Sequence, residues 1–169
     1  MEDVIRVSSL DPNFKYRVQK EPGGEGIMRC FACGTCTASC PVREIEEAYN
    51  PRKIIRMVLL GMKDEVLKEE FVWLCATCFT CSERCPQDVK ITDLMSALRN
   101  IAVQEGYIHP AFTAQVSAIY TNGRLYEVGE FDNNKRKKLG LPEIPPTKEE
   151  VQLLMKETGV AKYAEGGEV

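Results

Sequence analysis

Eight cysteines fall into two runs, "CFACGTCTASCP" at Cys30–Pro41 and "CATCFTCSERCP" at Cys75–Pro86. Both runs space their cysteines by three, three and four residues and close with proline, and every cysteine of the second stands 45 residues after its counterpart in the first. None of the eight is left over. A loop carrying three sulfurs at such short intervals can wrap one side of an inorganic centre. It is too short to cover the far corner as well, so a fourth ligand has to arrive from elsewhere. Pro41 and Pro86 turn the chain away afterwards and have no backbone N–H to leave unpaired.

This spacing is that of bacterial iron–sulfur runs, in which the fourth cysteine of each run ligates the other cluster. Applied here, the rule assigns Cys30, Cys33, Cys36 and Cys85 to one 4Fe–4S cluster, and Cys75, Cys78, Cys81 and Cys40 to a second. Swapped ligation would hold the clusters side by side, so that electrons could pass between them. Structural zinc also takes four thiolates, but paired cysteines suffice for it, and the additional cysteine and the proline would then serve nothing, twice. Disulfides belong to oxidising compartments, and the opening "MEDVIRVSSLDPNF" lacks the basic start and apolar core of a secretory signal. The expected setting is a reducing cytoplasm. A radical-type cysteine triplet fails because Arg43 and Asp88 stand where its last cysteine belongs. Arg29, Arg43 and Arg84 lie near ligands in sequence and are candidates to offset the negative charge of thiolate-bound clusters.

With every cysteine used as a ligand, no iron is left open to a substrate, and no glycine-rich dinucleotide fingerprint is present. The single histidine, His109, precedes Pro110 at an expected helix start and reads as a cap. One-electron transfer is the chemistry that remains, with catalysis on a partner. The formal net charge of −3 argues against a nucleic-acid binder. Apolar runs such as "MVLL" are far shorter than the ~20 residues a membrane span requires.

The fold class expected is mainly α: a helical domain binding two 4Fe–4S clusters, with an extended or hairpin N-terminal arm and a C-terminal helix. Residues 1–26 form the arm, 27–125 the cluster domain, and 126–169 a linker, helix and tail for docking to other chains. Asn50 and Pro51 open a helix that Gly61 stops, and a second helix runs from near Asp64 to Trp73. Thr92 caps a helix whose stripe is Leu94, Leu98, Ile101 and Ala102. "HPAFTAQVSAIY" is a further helix. Residues 129–146 read as a polar linker in which "KRKK" is a solvated run, and Thr147 with Glu150 forms a capping box for a late helix. "AKYAEGGEV" reads as a frayed tail.

The segments "RCFACGTCTASCPV", "NPRKIIRMVLLG" and "WLCATCFTCSERCPQDVKITDLMSALRNIA" resemble the alpha-helical ferredoxin domains in the iron–sulfur subunits of succinate dehydrogenase and fumarate reductase. They resemble most the C-subunit family of soluble heterodisulfide reductases. That resemblance implies an electron relay holding two 4Fe–4S clusters on the eight cysteines named. The relay would lie between a flavin- and cluster-bearing partner and a catalytic partner, which reduces the mixed disulfide of coenzyme M and coenzyme B. Hydrogenase or formate dehydrogenase would supply electrons in the larger assembly, with bifurcation to a low-potential ferredoxin. The alternatives are a relay in a related or succinate/fumarate-type oxidoreductase, a zinc-held docking scaffold, and a free ferredoxin.

Overall fold

A computed structural model describes residues 5–145 and 148–164. All regular structure among them is helical. The chain forms two compact units, the first ending at Tyr107 and the second beginning at Ile108.

In the first unit, α1 (Phe14–Lys20) precedes two short helices of the first cysteine run, α2 (Thr35–Ala38) and α3 (Pro41–Ile45). Then come α4 (Pro51–Leu60), α5 (Lys63–Leu67), the one-turn α6 (Thr80–Glu83) of the second run, and the long α7 (Ile91–Gln104). Asn50 caps α4 by accepting the Lys53 N–H at 3.0 Å, and Pro51 takes the first helical position. Gly61 ends it in the left-handed region, at φ 82°. Ile54, Ile55 and Val58 of α4 meet Leu94, Met95, Leu98 and Ile101 of α7 in one core. Each such side chain stabilises the fold by roughly 1.5–3 kcal/mol when fully buried. The two cysteine runs are therefore carried on loops that lead into the two helices forming the floor of this core.

Three local expectations change. The arm contains helix α1 in place of a hairpin, because Phe14 and Val18, one turn apart, are both fully buried against the core. The helix from Asp64 breaks after Leu67 and resumes as a tighter turn, Glu70–Leu74. Arg99 of α7 holds the resumed turn, its Nε donating to the Val72 carbonyl (3.0 Å) and its Nη2 to the Cys75 carbonyl (2.8 Å). Thr92 lies inside α7, preceded by Ile91 and the cap residue Lys90, since its hydroxyl is turned inward to a buried partner.

In the second unit, α8 (Pro110–Asn122) starts at His109, whose Nδ1 accepts the Ala111 N–H at 3.1 Å, as the cap reading requires. The expected linker contains helix α9 (Glu130–Lys138). It has no apolar stripe for periodicity to detect. Glu130 and Asp132 at its start and Lys135–Lys138 at its end match the helix dipole, and Asp132 accepts the Gly129 N–H at 3.1 Å. Within the basic run, Lys137 pairs with Glu143. Helix α10 (Lys148–Glu157) packs on α8, with Met155 buried and Gln152 donating to the Tyr120 carbonyl at 2.9 Å. Thr147 of the expected capping box and residues 165–169 of the expected tail lie outside the described residues. None of the described helices is long and apolar enough to cross a membrane.

Candidate metal centre

The 45-residue repeat is a repeat of backbone geometry as well as of sequence. Ala32 and Gly34 have positive φ (62° and 86°), and so do their counterparts Thr77 (50°) and Phe79 (63°). A left-handed conformation at Ala, Thr and Phe costs energy that the surroundings must offset, and such positions concentrate at functional loops. Here they coil each run so that its third cysteine sits deeper than its second.

Hydroxyls fasten the coils to the long helices in the same way twice. Thr37, after the third cysteine of run one, accepts the N–H of Arg52 at the second position of α4 (3.0 Å). Ser82, after the third cysteine of run two, accepts the N–H of Thr92 at the second position of α7 (3.1 Å). Each hydroxyl also reaches a side chain, Thr37 to Asn50 Oδ1 (2.9 Å) and Ser82 to Thr92 Oγ1 (3.2 Å).

The thiols repeat the pattern too. Cys33 and Cys78 are exposed, and each lies below the ordinary thiol range because a threonine two residues on, Thr35 or Thr80, hydrogen-bonds to it. Cys36 and Cys81 sit deeper, and burial raises both, Cys36 to about 11. A metal binds the thiolate, so cluster ligation has to overcome this rise at the two inner positions. None of the eight is paired in a disulfide.

The runs cross over. A cavity is lined by Cys30, Cys33 and Cys36 of run one together with Cys85, the last cysteine of run two. Arg52, Ile55, Val89 and Ile91 are among the other residues of its wall. On the other side, buried Tyr49 lies close enough to Cys75, Cys40 and Cys81 to feel all three. Burial, then these thiols, push its ionisation far above the phenol range, so the hydroxyl keeps its proton. Short helices α2 and α6 pack against one another, which brings the two groups of sulfurs together. This donor set, soft sulfur at four points around one cavity with an apolar back wall, fits an iron–sulfur cluster. Among the described residues no three His, Cys, Asp or Glu side chains converge as ligands of a single metal ion.

The arginines near ligands in sequence are not the ones the fold places at the wall. Arg29 pairs with Asp88 at 3.8 Å, Arg43 with Glu47 at 3.4 Å, and Arg84 is exposed. The cation in the cavity wall is Arg52 of α4, a residue that the cysteine spacing does not single out. Tyr49, Thr92 and Arg99 are likewise invisible as site residues in the sequence, because their partners are distant along the chain. Trp73 packs on the core.

Residues 26–89 match the family model for a 4Fe–4S dicluster domain. The C subunit of the H(2):CoB-CoM heterodisulfide,ferredoxin reductase of Methanothermobacter thermautotrophicus is 39% identical over 94% of this chain and 88% of that protein. An iron–sulfur C subunit of the CoB–CoM heterodisulfide reductase of Methanocaldococcus jannaschii is 41% identical over 91% of this chain and 89% of its own length. The C subunit of the ferredoxin:CoB-CoM heterodisulfide reductase of Methanosarcina mazei is 38% identical over 73% of this chain and 76% of its own.

Proposed function

Since the chain belongs to the C-subunit family of heterodisulfide reductases, we propose that it is the electron-relay member of such an oxidoreductase complex in the cytoplasm. It holds two 4Fe–4S clusters and performs no substrate chemistry of its own. Cys30, Cys33, Cys36 and Cys85 hold one cluster, and Cys75, Cys78, Cys81 and Cys40 the other. The clusters supply reversible one-electron storage. The chain's part is to fix their separation, exclude water and set their potentials.

One observation carries the reading: Cys85 of the second run shares a cavity with the first three cysteines of the first run. Local loop geometry alone does not demand that arrangement, and swapped ligation does. The complementary set is supported by the core, in which Cys40 of run one is buried and against which Cys75 and Cys81 of run two pack. Exposed Cys33 and Cys78 put one edge of each cluster toward solvent, where electron donors and acceptors can approach.

The relay then runs between a flavin- and cluster-bearing partner and the catalytic partner that reduces the coenzyme M–coenzyme B disulfide, fed by hydrogenase or formate dehydrogenase. The hydrogen, ferredoxin and disulfide in the relatives' names support that placement. The test is to purify the tagged chain with its partners from its native host without oxygen, count iron, and assay that disulfide with a reduced viologen. About eight irons per chain, two larger partners and activity are expected. Partners without activity on that disulfide would leave a relay serving another enzyme. A lone chain with about two zinc ions would overturn the reading.

A further inference from the structure

Arg52 is the second residue of α4, and its backbone N–H is tied to the Thr37 hydroxyl at 3.0 Å. Its side chain forms part of the wall of the cavity that Cys30, Cys33, Cys36 and Cys85 share. Of the described residues lining that cavity, it is the one Lys, Arg, Asp or Glu. The side chain passes over Gly34, in the loop between Cys33 and Cys36. Gly34 has φ 86°, and a Cβ built on it would stand 3.5 Å from Arg52 Cδ and 3.9 Å from Arg52 Nε. The arginine thus lies across the loop that joins two of the sulfurs. Other cations near the runs are engaged: Arg29 and Lys90 pair with Asp88, and Arg43 with Glu47. Among the described residues no carboxylate pairs with Arg52.

The other half of the repeat fills the equivalent place differently. Each run is fastened to its long helix through the N–H of that helix's second residue, so Thr92 of α7 is the counterpart of Arg52. Thr92 is neutral and buried, with Oγ1 3.7 Å from Cys81 Sγ. The sixth residues repeat the contrast. Arg56 of α4 is exposed and lines a shallow notch with Arg52, Cys30 and Phe31, whereas Ser96 of α7 donates back to the Thr92 carbonyl at 3.3 Å. Phe79 stands 45 residues after Gly34, so the second run has a side chain where the first has only space for the arginine stem. One half of the repeat therefore presents a cation and the other a hydroxyl. The cysteine spacing is identical in both, so ligation alone does not demand the difference.

We propose that the Arg52 guanidinium, lying over the Cys33–Cys36 loop, selectively raises the reduction potential of the cluster held by Cys30, Cys33, Cys36 and Cys85, and so sets the two clusters apart. The proposal rests on the ligation read above. Reduction adds one electron to a centre that is already anionic with its thiolates. A fixed positive charge beside that centre stabilises the reduced form more than the oxidised one, and potentials respond to the charge around a cluster. Arg52 is exposed on its outer side, so water and salt weaken its effect without removing it. It acts through its charge and position alone, and remains protonated throughout.

The experiment is a redox titration of the full-length, cluster-loaded chain followed by electron paramagnetic resonance, comparing wild type with Arg52→Gln at equal iron content. The expected result is that one midpoint falls, with its reduction equilibrium about threefold weaker, or about 28 mV at 59 mV per tenfold for one electron, while the other stays in place. Arg52→Glu should move the same midpoint about twice as far, and Arg52→Lys should leave it near the wild-type value. Lys53→Gln removes a neighbouring exposed cation that does not line the cavity, and it should leave both midpoints in place. Unchanged midpoints in the Gln and Glu variants, equal shifts of both clusters, or as large a shift in Lys53→Gln would overturn the proposal. Replacement of Arg52 by citrulline, which keeps the shape and removes the charge, keeps the test decisive where Arg52→Gln loses iron. Failure of the ligation itself looks different: Cys33→Ser and Cys85→Ser would then alter different cluster signals, whereas shared ligation makes them alter the same one.

Discussion

The Ser82 hydroxyl accepts the backbone N–H of Thr92 at 3.1 Å and donates to Thr92 Oγ1 at 3.2 Å, with both residues buried. Thr92 Oγ1 is also 3.7 Å from Cys81 Sγ. The start of the longest core helix is thereby joined to the third cysteine of the second run by a doubly bonded pair. Because Thr37 and Arg52 do the corresponding work in the first run, each motif is held to its own long helix.

Thr92→Val keeps the shape of the side chain and strands the Ser82 proton. A buried polar group without its partner costs about 1–3 kcal/mol, and the denaturant midpoint measured without oxygen should fall accordingly. Adding Ser82→Ala should cost less than the sum of the single changes, since the two residues share one interaction. Additive losses would show that the pair is not coupled.

Arg99 is the residue that delivers Cys75. Its fork takes the carbonyls of Val72 and Cys75 across the fold, and an ammonium cannot reproduce two parallel bonds. Arg99→Lys is expected to lose iron from the second run before the first, seen as partial loading and one missing cluster signal. Arg99→Ala should do so more completely. Equal loss from both clusters would mean that Arg99 acts on the core as a whole.

Much of this was legible in the order of residues. Asn50, Pro51, Gly61 and His109 carry their meaning locally, as caps and stops, and each does what its chemistry suggests. The crossing of Cys85 to the first run follows a spacing rule, and the cavity wall is consistent with it. What escaped is of two kinds. Helix α9 has charge order in place of an apolar face, so a reading by hydrophobic period passes over it. Thr92 and Arg99 each act on a partner far along the chain, and in sequence a threonine bonded inward reads the same as one that caps a helix.

Gly61 tests the stitching of the N-terminal segment. It ends α4 at φ 82°, its carbonyl accepts the Asp11 N–H at 2.8 Å, and a Cβ placed on it would collide with the Asp11 backbone. Gly61→Ala thus meets both left-handed strain and a backbone clash, and strain of this kind costs on the order of 1–3 kcal/mol. Loss of the Asp11 contact should also free α1, seen as faster amide exchange at Phe14–Lys20. Unchanged exchange there would show that α1 is held by Phe14 and Val18 alone.

Glu105, at the end of α7, joins Arg17 of α1 and Lys63 of α5. The Lys63 hydrogen bond, and then that of Arg17, hold its carboxyl below the ordinary value of 4.5. A depressed folded-state value means that the ionised form is favoured by folding. The stabilisation is therefore complete above the unfolded value and disappears as pH falls through the folded one. Because the cluster of charges is partly exposed, Glu105→Gln should cost no more than about 1 kcal/mol near neutral pH, and less in high salt. Comparing wild type with variant at each pH cancels whatever acid does to both. The difference should be flat above pH 4.5 and close toward zero in more acid solution. A gap that persists there would mean that the carboxylate acts through packing and not through its charge.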